Sequence, residues 1–128
     1  MSQHEVYLGN PNLKKANTPI EFTEDQIVEF LKCKEDPVYF ARNHIKIVSL
    51  DEGLVPFDMY DFQEKLIRNF HEARFNICKM PRQTGKSTTC VSYLLHYAVF
   101  NDNVNVAILA NKASTARDLL GRLQLAYE

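Results

Sequence analysis

Residues 80–87 read Met80-Pro81-Arg82-Gln83-Thr84-Gly85-Lys86-Ser87. An apolar run, Phe75 to Met80, precedes them and is typical of a β-strand, while an amphipathic run, Ser87 to Phe100, follows and is typical of a helix. Strand, tight loop, Gly-Lys-Ser and helix form an arrangement that holds nucleotide phosphates, because the N–H groups of the loop and first helical turn point at the anion. The generic pattern G-x-x-x-x-G-K-[ST] begins with glycine, whereas Met80 stands there in this chain. The sequence therefore predicts a phosphate loop of a variant kind.

The predicted role of each loop residue follows from its chemistry, and the predicted cofactors are ATP and Mg²⁺. We expect Lys86 to contact the β- and γ-phosphates and Ser87 to ligate Mg²⁺. Gly85 lets the backbone come close to the phosphates. Arg82 is the second candidate catalytic residue, through the γ-phosphate in the transition state, with loop shaping as an equal alternative. Further nucleotide contacts are expected from Gln83, Thr84 and Thr88.

A second candidate anchor, Gln63, lies 23 residues before Lys86. Its amide offers the donor and the acceptor that the N6 and N7 edge of adenine needs. Tyr60 and Phe62 flank it with rings that can pack against the base, although core packing plus a surface amide is the ordinary alternative. One helix and one strand separate Gln63 from the loop, so the two can contact opposite ends of one ATP.

Composition bounds the class of protein. The chain has 128 residues, of which 45% are hydrophobic and 24% charged, as in ordinary globular domains. Its apolar runs are far shorter than a membrane span, and three cysteines at unrelated spacings argue against a disulfide framework and a zinc site. The histidines are scattered and receive no role. Residues 1–64 carry a net charge of −6 and residues 65–128 a net of +5, so the half with the loop suits a polyanion.

Periodicity and capping signals predict an α/β fold with a parallel sheet flanked by helices. Residues 1–22 show no periodicity and are expected to be extended or poorly ordered, and a helical lead-in follows. Capping boxes are predicted at Thr23 with Gln26 and at Asp61 with Glu64, and Asp36-Pro37 begins a short second helix. Strands are predicted at 45–50, 75–80 and 104–110, and helices at 87–100 and 114–127.

Four segments read Asp36-Pro37-Val38-Tyr39-Phe40, Gly53-Leu54-Val55-Pro56-Phe57, Tyr60-Asp61-Phe62-Gln63 and Arg82-Gln83-Thr84-Gly85-Lys86-Ser87. Together they resemble the N-terminal part of the large terminase subunit of contractile-tailed bacteriophages, and the similarity runs from about Thr23 to the last residue. In that family the Walker A loop lacks the first glycine and reads Arg-Gln-x-Gly-Lys-[Ser/Thr], so Met80 fits the resemblance. It implies a P-loop NTPase of the additional-strand (ASCE) type, with Gln63 as adenine-binding glutamine, Arg82 as loop arginine, and Lys86 and Ser87 as catalytic lysine and metal ligand.

The resemblance also implies an activity and partners. The family uses ATP to package double-stranded viral DNA into a preformed capsid, and a separate C-terminal nuclease domain cuts the genome. The implied partners are double-stranded DNA, the portal protein and the small terminase subunit, in an oligomeric ring without a membrane. The implied location is the host cell cytoplasm, at the procapsid portal.

One part of an ATPase site is missing from the sequence. No apolar strand ending in Asp-Glu follows Lys86, and Asp102 and Asp118 lie in a predicted turn and helix. Residues 23–128 are therefore expected to be the N-terminal part of a P-loop ATPase domain, truncated before Walker B and inactive alone. The alternatives are the N-terminal piece of a superfamily-two helicase or restriction translocase, which normally keeps the first glycine, and a non-catalytic ATP-binding fragment.

Overall fold

Five helices and two short antiparallel strand pairs make up the regular structure of the described residues, which are 6–7, 10–14, 19, 21–49 and 51–127 of a computed structural model. The predicted extended segment 1–22 lies largely outside these residues. In chain order the elements are β1 (Val6–Tyr7), β2 (Asn10–Lys14), α1 (Glu24–Glu35), α2 (Pro37–His44), β3 (Lys46–Ser49), β4 (Gly53–Pro56), α3 (Asp61–Glu72), α4 (Lys86–Phe100) and α5 (Ala113–Tyr127).

Local capping chemistry fixes the first two helices as predicted. Thr23 Oγ1 accepts from Gln26 N at 3.3 Å, and Gln26 Oε1 accepts from Thr23 N at 3.0 Å, which closes the capping box of α1. Asp36 ends α1 and begins α2, since its Oδ1 accepts from Val38 N at 2.8 Å. Pro37 takes the first helical position, where its missing N–H costs no hydrogen bond.

The strand predicted at 45–50 is confirmed as β3, and it forms a hairpin with β4. The pairing is antiparallel, with Ile47 opposite Val55 and Val48 opposite Leu54. Residues 51–52 form the turn, and Gly53 follows with φ +75°. β1 and β2 form a second antiparallel pair with an irregular register.

The start of α3 differs from the prediction by one residue. Tyr60, and not Asp61, is the N-cap, and Gln63 takes the position from which a side chain reaches back to the cap. Gln63 Oε1 accepts from Tyr60 N at 3.0 Å. The predicted Asp61–Glu64 capping box is therefore wrong. The helix begins one residue earlier because Gln63 supplies the side-chain acceptor for the N-cap N–H. Glu64 Oε1 instead accepts from Arg68 Nη2 at 2.8 Å.

The hydrophobic core lies between α2, α3 and α4. Ile67 is fully buried on α3, and Leu95 is buried on α4. Ala98 on α4 is exposed and Phe62 on α3 is 44% exposed, so both positions lie at the edge of the buried faces. The buried cluster is Val38, Ala41, Ile45, Phe57, Met59, Ile67 and Leu95.

Residues 75–80 and 104–110 lie outside helices and strands, although both were predicted as strands. Phe75 is 84% exposed, Ile77 fully exposed and Leu109 89% exposed. A parallel strand is stabilised by the ladder bonds and apolar cover of its neighbours, and the described residues supply these segments with no neighbouring strand. The parallel sheet of a P-loop ATPase therefore stays a prediction, as does the fold class that rests on it.

Candidate phosphate-binding loop

The backbone of residues 80–87 forms a tight loop that leads directly into α4. Gly85 is the N-cap of α4 and has φ +71° and ψ +17°, in the left-handed region. Gln83 also has a positive φ, +61°, which is uncommon for a residue with a side chain. Because Gly85 has no side chain to cap the helix, the first N–H groups of α4 have neither an intrahelical acceptor nor a side-chain cap at this position. Such a helix start favours a bound anion.

Lys86 closes the loop on itself. Its Nζ donates to Met80 O at 2.8 Å and to Pro81 O at 2.7 Å. Both carbonyls belong to the beginning of the loop, so the chain wraps around the ammonium group. An ammonium has three N–H donors, and these two bonds leave the third for another acceptor.

Gln63 ties the loop to the start of α3. Its Nε2 donates to Thr84 O at 3.1 Å, while its Oε1 accepts from Tyr60 N at 3.0 Å. The residue is only 5% exposed. The structure therefore brings Gln63 and the loop together across 21 residues of chain, and it places both ends of the amide on backbone groups.

Gln63 lies so close to Gly85 that a side chain at this position would displace its amide. A Cβ built at Gly85 would clash with Gln63 Nε2. Gly85 thus satisfies two conditions at once, the left-handed φ and the close approach of the amide. The sequence predicted backbone closeness to phosphates here, and the structure adds closeness to Gln63.

Hydroxyl groups brace both ends of the loop. Thr84 Oγ1 donates to Pro81 O at 3.1 Å. Thr89 Oγ1 donates to Gly85 O at 2.9 Å, and Thr89 is completely buried. Sequence reasoning missed Thr89; the signal was its spacing of four residues from Gly85, from which a threonine hydroxyl reaches the i−4 carbonyl in a helix.

The remaining predicted site residues lie near the loop's surface or on the flank of α4. Arg82, Gln83 and Ser87 are exposed, and Thr88 is half-buried. Tyr60 is 69% exposed and stacks on Phe62, with ring centroids 5.6 Å apart and planes 9° from parallel. The side chains at these positions are therefore accessible to a ligand.

Glu64, next to Gln63, anchors α3 to α2. It receives Arg68 Nη2 at 2.8 Å and Arg42 Nη2 at 2.9 Å. The hydrogen bonds from Arg68 and then Arg42 hold the pKa of Glu64 below its ordinary value. This ion-pair network links the helix that carries Gln63 to α2.

Asp102 and Asp118 occupy the contexts that the sequence predicted for them. Asp102 lies in the turn after α4. Asp118 lies on α5 and pairs with Arg122 Nη2 at 3.2 Å, one helical turn away. Neither follows a strand, which is the position that a Walker B carboxylate takes.

A cleft of about 330 Å³ lies beside α4, between β3 and α5. Thr88 and Ser92 line it from α4, Ile47 from β3 and Arg122 from α5. Of the predicted site residues it includes Thr88, and neither Lys86 nor Ser87. The cleft is therefore a neighbour of the loop and not the predicted phosphate position.

Among the helices of the described ranges, none combines the length and apolar character that a membrane crossing requires. A comparison with models of known protein families found no match to this chain.

Proposed function

We propose that this chain is the nucleotide-binding part of an ATP-driven motor and that residues 80–87 hold the phosphates of ATP. The observation that carries the proposal is the closed loop: Lys86 Nζ bonds the carbonyls of Met80 and Pro81 while Gly85 opens α4 in a left-handed conformation. A cation and the positive end of a helix thus adjoin each other. Both favour a phosphate group.

Each neighbouring side chain has a role in the proposal. Lys86 contacts the β- and γ-phosphates with its third N–H, or exchanges a carbonyl for a phosphate oxygen. Ser87, exposed in the first turn of α4, ligates Mg²⁺. Arg82, exposed within the loop, approaches the γ-phosphate. Gln83, Thr84 and Thr88 add backbone or hydroxyl contacts.

Gln63 acts in two ways in the proposal. Its bonds to Thr84 O and Tyr60 N hold the loop in shape. An amide nitrogen has a second hydrogen and an amide oxygen a second lone pair, and these are the groups that would read adenine. Tyr60 and Phe62, stacked and partly exposed, offer a ring surface for the base.

The kind of motor is proposed from the resemblance to large terminase subunits. The corresponding activity is ATP-driven translocation of double-stranded DNA into a procapsid, with the portal protein and small subunit as partners, in a ring at the portal in the host cell cytoplasm. The net charge of +5 on residues 65–128 supports a polyanionic partner.

Calorimetry of the 128-residue chain with Mg·ATP tests the proposal. We expect binding that Lys86→Ala abolishes and Lys79→Ala, a change at an exposed lysine, preserves. We expect Ser87→Ala to remove the dependence on Mg²⁺, and we expect no turnover. If the folded native chain bound no ATP, or Lys86→Ala bound it equally well, the phosphate role would be wrong.

A comparison of ATP with GTP binding tests whether Gln63 recognises adenine. ATP binding tighter than GTP binding, with the preference lost in Gln63→Glu, supports adenine reading. Equal binding of the two nucleotides would remove that role and leave the phosphate role intact. Lysine-dependent ATP hydrolysis by the chain alone would contradict the expected absence of catalytic carboxylates.

A further inference from the structure

Outside the loop, α1 and α2 bring together three side chains of different chemistry: Glu29, Cys33 and His44. One ligand atom from each lies within 4.8 Å of the other two. Glu29 and Cys33 are four residues apart on one face of α1, and His44 is the last residue of α2. The spacing of the cysteines along the sequence argued against a zinc site. Spacing along the sequence does not reveal this group, because the packing of two helices brings its members together.

The Cys33 sulfur and a His44 ring nitrogen both lie next to the same carboxylate oxygen of Glu29. Glu29 Oε1 lies 2.9 Å from His44 Nε2 and accepts from Cys33 Sγ at 3.9 Å. A tetrahedral Zn²⁺, with bonds of about 2.0 Å to nitrogen and about 2.3 Å to sulfur, holds its ligands roughly 3.3–3.6 Å apart. The Glu29–His44 and Glu29–Cys33 atom pairs would need to change by roughly 0.3–0.5 Å to reach this spacing. The Cys33–His44 pair, whose atoms lie within 4.8 Å, would need to close by up to about 1.2 Å, which rotation of the part-exposed His44 side chain can supply.

The surroundings suit an ion with one open position. Cys33 is buried, whereas the side chains of Glu29 and His44 are 38% and 42% exposed, so solvent reaches the group from one side. Tyr39 Oη donates to the other carboxylate oxygen, Glu29 Oε2, at 3.1 Å and orients it. A hydrogen bond that orients a ligand in this way is a regular feature of metal sites.

We propose that Glu29, Cys33 and His44 form a Zn²⁺ site that joins α1 to α2, with water as fourth ligand. Sulfur, imidazole and carboxylate together favour Zn²⁺ over Mg²⁺. On binding, the Cys33 thiol proton leaves to solvent as the S–Zn bond forms, and His44 presents the lone pair of Nε2. One thiolate and one carboxylate then balance the charge of the ion. The site is independent of the phosphate loop.

Titration of the 128-residue chain with Co²⁺, followed by displacement with Zn²⁺, tests the site. We expect a thiolate-to-cobalt charge-transfer absorption that Zn²⁺ removes and excess Mg²⁺ leaves unchanged. Cys33→Ser should abolish this absorption, while Cys78→Ser and Cys90→Ser should keep it. Absence of the absorption in the folded native chain, its survival in Cys33→Ser, or its loss in Cys78→Ser would overturn the proposal.

Variants of the other two ligands test the site independently, in case Cys33→Ser does not fold. Glu29→Gln and His44→Gln should weaken Co²⁺ and Zn²⁺ binding, whereas Glu35→Gln, also on α1, and His71→Gln should not. Tyr39→Phe should weaken binding roughly 10- to 100-fold. Equal affinity in Glu29→Gln and Glu35→Gln would overturn the site, and unchanged affinity in Tyr39→Phe would overturn the orienting role of Tyr39.

Discussion

Replacing Gly85 by alanine should cost more stability than the same change at another left-handed glycine. At Gly85 the new Cβ is in the left-handed region and also clashes with Gln63 Nε2. The conformation costs about 1–2 kcal/mol for a residue with a side chain. Displacement of the amide from Thr84 O and Tyr60 N removes two hydrogen bonds worth about 0.5–1.5 kcal/mol each. We therefore expect a loss of about 2–5 kcal/mol in the free energy of unfolding.

The chain offers a matched control for this change. Gly53 has φ +75°, close to the +71° of Gly85, and a Cβ there meets no atom within 4 Å. Gly53→Ala should therefore cost only the conformational part, about 1–2 kcal/mol. Urea unfolding followed by circular dichroism measures both variants, with the difference assigned to Gln63.

A double-mutant cycle isolates the contact itself. In a Gln63→Ala background no amide lies in the way, so Gly85→Ala should cost no more than Gly53→Ala. The coupling energy between the two positions should then be about 1–3 kcal/mol. An equal cost of Gly85→Ala in both backgrounds, or a cost equal to that of Gly53→Ala in the native background, would refute the Gln63–Gly85 packing.

Three further changes test other parts of the structure by the same unfolding measurement. Gly121→Ala should stabilise the chain by about 0.5–1 kcal/mol, because Gly121 lies inside α5 and a Cβ added there meets no atom within 4 Å; a loss would contradict this. Thr23→Ala should cost about 1 kcal/mol by removing the N-cap of α1, and Thr23→Ser should restore most of it. Since Arg68 and Arg42 lower the pKa of Glu64, its ion pairs stabilise the fold above its ordinary pKa of 4.5, and this contribution is lost as pH falls through the lower folded pKa. In Glu64→Gln the free energy of unfolding should therefore fall less steeply with decreasing pH below 4.5. The same pH dependence in the variant and the native chain would show that these ion pairs contribute nothing.

The helices were predictable from the sequence because their signals are local. The cap at Thr23 and the break at Asp36-Pro37 each depend on a few neighbouring residues, and the structure confirms them. The helix predicted at 87–100 is also confirmed, as α4. The start of α3 was missed by one residue, since both Gln63 and Glu64 fit the backward capping bond and only their other contacts decide between them.

Features that depend on distant residues were not predictable in this way. Residues 75–80 have the composition of a strand, but a strand exists only with a partner, and the described residues provide none. The bond from Gln63 to Thr84 and the meeting of Cys33 with His44 arise from helix packing. Sequence spacing suggested a functional link between Gln63 and the loop, yet it gave no indication that the amide would hold the loop backbone.

The most direct test of the phosphate loop is an amide NMR titration of the 128-residue chain with Mg·ADP. The N–H groups of residues 83–88 adjoin Gly85 and the free start of α4, so their signals should shift first and most. Lys86→Ala should abolish these shifts at the same nucleotide concentration. Shifts centred on another part of the chain, or no shifts at saturating Mg·ADP, would contradict the assignment of residues 80–87 as a nucleotide phosphate site.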